Sequence, residues 1–237
     1  MTSTPLSGLS GLLLAVVTVL VAWQLPYGPQ ALYPLSLLAT FAHEMGHGLT
    51  AIVVGGEFDH LLLHADGSGL ATWRGDPGRL ARAAIAAGGL LGPSIAGVSL
   101  LVFARSPRVA RMLLVVLAAG LALCVLAWVR NLFGMAFLLG MAATLAAAAR
   151  WLGDAAAAFV LRLLTAVLCL SWFRDLGYMF SAQVVVAGTV HRSDSGVIAD
   201  ALWLPYWFWG ALVAALSLAL LVFGLWAVAR PRRGDAA

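Results

Sequence analysis

The chain has 237 residues, 62% of them hydrophobic and only 10% charged, with a formal net charge of +4. A soluble domain carries about 25% charged residues, so a chain this apolar cannot cover its surface with polar groups in water and must be solvated by lipid. The basic residues are all Arg and most sit at the ends of apolar runs, which fits loops at a membrane surface and excludes a nucleic-acid binder.

A bilayer span takes roughly 20 apolar residues. The first such run is 9–25; no basic segment precedes it, so it reads as a retained span and not as a cleaved signal. Pro26, Gly28 and Pro34 punctuate the way into a second span, 31–55. A polar loop follows at 56–79, in which Asp66-Gly67 between two apolar runs predicts a β-hairpin. A third span, 80–104, contains Gly88, Gly92 and Pro93, and Arg105, Arg108 and Arg111 cluster just after it. Residues 112–149 are too long for one span and divide at Arg130, Asn131 and Gly134 into 112–129 and 132–149. A sixth span, 157–180, precedes a polar loop at 181–203. The seventh, 205–229, begins beside the interfacial aromatics Trp203, Tyr206, Trp207 and Trp209, and Arg230, Arg232 and Arg233 follow it. Cys124 and Cys169 lie inside spans and read as small core residues.

The fold class expected is an all-α polytopic membrane protein with about seven transmembrane helices and a small β-hairpin after the second. It forms one membrane-embedded domain over 1–237, with its core at 31–215 and an extramembrane hairpin loop at 56–79. The Arg clusters put the 105–111 loop and the C-terminus on the cytoplasmic face, with the hairpin on the other.

The second span carries His43-Glu44-Met45-Gly46-His47. On a helix, His-Glu-x-x-His puts two imidazoles one turn apart on one face, where both can bind one zinc ion, with the Glu beside the attacking water as general base. Ser36, Thr40, His43, His47 and Thr50 recur at helical spacing, so one polar stripe runs down an apolar helix and must face protein or a wet cavity. Gly88 and Gly92 are spaced for close helix contact, and Pro93 kinks its span to shape the space beside the metal. Asn131 stands as a hydrogen-bond donor to a substrate carbonyl or oxyanion. His60 and His64 flank Leu62 on a predicted strand and do not read as a second metal site.

Phe41-Ala42-His43-Glu44-Met45-Gly46-His47 resembles the membrane-embedded zinc metalloproteases of the site-2 protease type, most of all their compact bacterial B-like branch. Gly55-Gly56 and the hairpin, Gly92-Pro93, Arg130-Asn131, Ser193-Asp194 and Leu204-Pro205 match in order, so the resemblance covers roughly residues 35–215. It implies a zinc-dependent endopeptidase of the bacterial cell membrane, acting on membrane-embedded or membrane-adjacent peptide bonds of a single-span membrane protein. Site-2 proteases take their third zinc ligand from a Leu-Asp-Gly element in a later span, and this sequence has none.

A catalytic zinc needs three protein ligands and an open position. Asp154, Asp175, Asp194, Asp200 and His191 are the candidates after the motif. The second and sixth spans run the same way, and Asp175 lies near the far end of the sixth, at the depth of His43 and His47. Asp175 is therefore the expected third ligand, and Asp194 the alternative. A non-proteolytic metal-binding membrane protein is the rival reading. A small-molecule transporter is disfavoured, because the intramembrane charges concentrate around one motif. The free edge of the hairpin offers a place for an extended substrate to add as a strand.

Overall fold

The computed structural model describes residues 5–230 apart from Pro77; Arg232 and Arg233 of the basic C-terminal cluster lie outside the described residues. The elements run α1 (Pro5–Gln24), α2 (Gly28–Val53), β1 (Glu57–Leu63), β2 (Gly69–Arg74), α3 (Gly78–Phe103), α4 (Pro107–Ala127), α5 (Leu132–Trp151), α6 (Asp154–Arg174), α7 (Leu176–Met179), β3 (Gln183–Val186), β4 (Thr189–Arg192), α8 (Asp194–Leu202) and α9 (Tyr206–Ala229). Long helices follow from the apolar runs, since in lipid a helix satisfies its own backbone groups.

All seven predicted spans are helical. Among the described residues, five helices are long and apolar enough to cross a membrane by length and composition: α3, α4, α5, α6 with α7, and α9. The protein is a mostly helical, multi-pass membrane protein. α1 is apolar over Ser10–Gln24. α2 has the length, but His43, Glu44 and His47 interrupt its apolar character.

α2 packs on α3 through small residues. A Cβ at Gly46 would run into the carbonyl of Gly88, and one at Gly92 would lie 2.5 Å from the carbonyl of Ala42. The backbones therefore touch beside the motif, as small-xxx-small spacing allows. Gly92 acts in this packing rather than by lining the site. One buried apolar cluster joins α2, β1 and α4–α6, a second joins α3 with α7–α9, and a third holds α1 against α6.

β1 and β2 pair antiparallel with Leu63 opposite Gly69, Leu62 opposite Leu70 and Leu61 opposite Ala71. The connection is longer than the two-residue turn expected: His64 N–H donates to the carbonyl of Ser68 at 2.9 Å, which leaves Ala65-Asp66-Gly67 as the loop. Gly67 sits at φ +91°, where a side chain would be strained. Asp66 Oδ1 accepts from the Ser68 hydroxyl at 2.6 Å and from its N–H at 2.9 Å, bonds that hold the Asp66 carboxyl below the usual carboxylate range.

The break between α4 and α5 falls where Arg130 and Asn131 predicted it, and it pairs with β1. Leu61 N–H donates to the Trp128 carbonyl at 2.9 Å, and Arg130 N–H donates to the Leu61 carbonyl at 3.1 Å. Asn131 completes this edge: its Oδ1 accepts from Leu63 N–H at 3.2 Å and its Nδ2 donates to the Leu63 carbonyl. Both halves of the Asn131 amide are thus engaged by β1.

The 181–203 loop is no open loop. It folds into the antiparallel β3–β4 hairpin and the nine-residue α8, which packs on α3 and α9. Cys124 and Cys169 are free thiols, as expected.

Candidate metal centre

His43 and His47 share one face of α2, and their ring centroids lie 4.8 Å apart. The His47 ring is held from behind: its Nδ1 donates to the Ile85 carbonyl of α3 at 2.9 Å. A carbonyl can only accept, so the proton sits on Nδ1 and the lone pair of Nε2 points into the site. Gly89 makes room for the ring, since a Cβ there would collide with it.

The third member of the group is Asp194, the first residue of α8. Ser193 caps the helix by accepting from Gly196 N–H at 3.0 Å, and its hydroxyl donates to the Ser181 carbonyl. Ser-Asp at a helix start is a common local signal. Here it turns the Asp194 carboxylate inward, with Oδ2 3.0 Å from His43 Nε2 and Oδ1 3.3 Å from His47 Nε2. The two Nε2 atoms lie 3.1 Å apart. One donor atom from each of these three residues falls within 4.8 Å of the others, a set that could hold a metal ion. Two imidazoles and a carboxylate suit zinc and other borderline divalent ions.

Asp175 is not part of this group. It caps the end of α6, and its Oδ1 accepts from Arg174 Nε at 3.0 Å. It borders the cavity over the site without joining the histidines. α6 ends at Arg174 with Asp175 turned to its neighbour Arg174, while the segment after it folds back and brings Asp194 to the histidines. Asp200 is engaged by Arg192, and Asp154 by Arg111 at 2.7 Å. Among the described residues His60 and His64 form no second group; His60 Nδ1 faces Asp59 at 3.1 Å and its Nε2 faces Thr72.

Glu44 is buried beside the pair, 6% exposed. Its carboxylate faces the Ala71 N–H of β2, and a Cβ at Gly69 would lie 2.6 Å from its Cγ. The register explains this contact. In an antiparallel ladder a residue points both backbone groups toward its partner strand or both away. Leu61 and Leu63 point theirs away from β2, toward residues 128–131, so their partners Ala71 and Gly69 point away from β1, and the Ala71 N–H faces Glu44. The tip of the hairpin is pinned to α2 by Thr40, whose hydroxyl donates to the Gly67 carbonyl at 3.0 Å, and by Tyr33, whose hydroxyl donates to the Ala65 carbonyl at 2.9 Å.

A cavity of about 210 Å³ opens over His43 and Glu44. Gly67–Gly69 wall one side and Val184–Val186 of β3 another, with Pro93, Trp172 and Tyr178 between them. Pro93 borders this cavity. Tyr178 went unnoticed in the sequence, where nothing distinguishes it from an interfacial aromatic; its hydroxyl donates to Asp194 Oδ2 at 2.7 Å.

The Peptidase M50B-like family model matches residues 12–224. No curated protein and no solved structure matches the chain. With the match running through nearly the whole chain and across the His-Glu-x-x-His helix, the chain belongs to the Peptidase M50B-like family, within the metallopeptidases of the site-2 protease type.

Proposed function

We propose that the protein is a zinc-dependent intramembrane endopeptidase, with His43, His47 and Asp194 as the metal ligands and Glu44 as the general base. One observation carries the reading: a buried Glu stands between a His-His-Asp group and the outward edge of a β-strand. A zinc ion held by these three residues supplies a Lewis acid that polarises the scissile carbonyl and acidifies water. Glu44 takes the proton of the attacking water and delivers it to the leaving amine. Its carboxylate already faces the Ala71 N–H.

Gly69 and Ala71 offer the substrate a template. A helical substrate hides its peptide bonds in its own ladder, so it must unwind before attack. An extended segment that adds to the outer edge of β2 recovers those hydrogen bonds and lies beside Glu44 as it does so. The fitting substrate is a single-span membrane protein whose helix unwinds near one end. The reading includes seven crossings, α1–α6 and α9, in a bacterial cell membrane.

Glu44→Gln in full-length protein reconstituted with a panel of single-span substrates tests this. The variant should bind as much zinc as the parent and lose about 10²–10⁴-fold in cleavage rate, the usual contribution of a general base. Equal cleavage by both removes Glu44 from the chemistry. Zinc binding with no cleavage by the parent favours the non-proteolytic metal-binding protein.

A further inference from the structure

We infer that Tyr178 is a positioning residue for the metal centre: its hydroxyl fixes the Asp194 carboxylate through Oδ2, the oxygen that faces His43. The inference rests on the reading of His43, His47 and Asp194 as ligands. Of those three, His47 is anchored through Ile85. Asp194 projects from the first turn of a short helix, and its capping residue Ser193 holds the backbone, not the carboxylate. The carboxylate is held by Tyr178, whose hydroxyl donates to Oδ2 at 2.7 Å.

The ring is set as firmly as the hydroxyl. Tyr178 lies in the single turn of α7, directly after the end of α6. That turn is seated on α9 at Gly210, where any Cβ would run into the carbonyl of Met179. The Tyr178 ring meets His43 edge-on, with centroids 5.8 Å apart and planes at 87°. One side chain therefore touches two of the three ligands.

The chemistry gives this contact a purpose. A carboxylate has about four lone-pair sites, and an ion in this group takes only part of them. The remainder belongs to a carboxylate that is itself buried, 8% exposed, and needs a donor. A donor of fixed direction satisfies that remainder and selects the carboxylate rotamer that faces the histidines. Partners of this kind around metal ligands are worth 10–100-fold in metal affinity. Tyr178 matches the role in identity, distance and placement, and the phenol contributes a donor without adding a charge.

The test is zinc affinity of the purified full-length protein by chelator competition, for the parent, Tyr178→Phe and Asp194→Ala. Tyr178→Phe keeps the ring and its contact with His43 and removes only the donor. It should bind zinc 10–100-fold more weakly while the melting temperature of the zinc-free protein stays that of the parent. Asp194→Ala should bind more weakly still. The cobalt-substituted forms give a second readout: the visible spectrum of Tyr178→Phe should differ from that of the parent, because the carboxylate has lost its fixed orientation. Parent-like zinc affinity and cobalt spectrum in Tyr178→Phe would overturn the inference and leave the metal reading standing. So would parent-like affinity with a lost cleavage rate, which makes the hydroxyl a group that acts on substrate. Failure of the parent itself to bind zinc ends both.

Discussion

At Gly89 two opposing effects meet, and their sizes decide the outcome. Alanine is favoured over glycine inside a helix by about 1 kcal/mol. A Cβ at Gly89, however, collides with the His47 ring, whose far side is tied to Ile85. Overpacking costs about 1–3 kcal/mol, and here the group that must move is a proposed ligand. Gly89→Ala should therefore lower zinc affinity by an order of magnitude or more, read by chelator competition; parent-like affinity would show that the ring has room to shift. Sequence reasoning reached His43, Glu44 and His47 because their signal is local, two turns of one helix. For the third member Asp175 ranked ahead of Asp194, because the choice depended on where a polar loop folds, which periodicity does not encode. Ser193-Asp194 carried a helix-start signal all the same, and a buried helix start is a place where an acid can face inward.

Two strand positions one residue apart should behave differently, because β2 alternates which way its backbone faces. Leu70 points its N–H toward β1, whereas Ala71 points its N–H at Glu44. Proline removes a backbone donor. At Leu70 it breaks the hairpin ladder and should lower thermal stability. At Ala71 it removes the N–H that faces Glu44 and disturbs the edge offered to substrate, so cleavage should fall severalfold or more while zinc content stays near that of the parent. Equal damage to stability from both variants would mean that the hairpin has no free edge. The cap of α8 gives a second test at this scale. Ser193→Ala should cost about 1 kcal/mol of stability and weaken zinc binding, since the first turn of α8 carries Asp194. The hairpin was legible from Asp66-Gly67, but its third partner was not: residues 128–131 read as a break between spans, and their pairing with β1 is a contact between segments far apart in sequence.

The proposed crossings place the metal group and both hairpins toward one side of the membrane and the α3–α4 turn on the other. A helix of 26 residues such as α3 rises roughly 39 Å, enough to separate these two levels. Arg111 at the start of α4 reaches Asp154 and the Leu152 carbonyl, both near the α5–α6 junction, which sets those two turns on one face. With seven crossings, reporters inserted at 105–111 and fused after α9 should report the same compartment, the cytoplasm, and a reporter in the 64–68 loop the opposite one; any other pattern rejects the seven-span arrangement. The most direct test of the account is the zinc content of the purified full-length protein and of two single variants. The account predicts about one zinc per parent chain, a parent-like content in Asp175→Ala, and little or none in Asp194→Ala. Loss of zinc in Asp175→Ala with retention in Asp194→Ala would contradict the site, and a parent chain without bound zinc would contradict the function built on it.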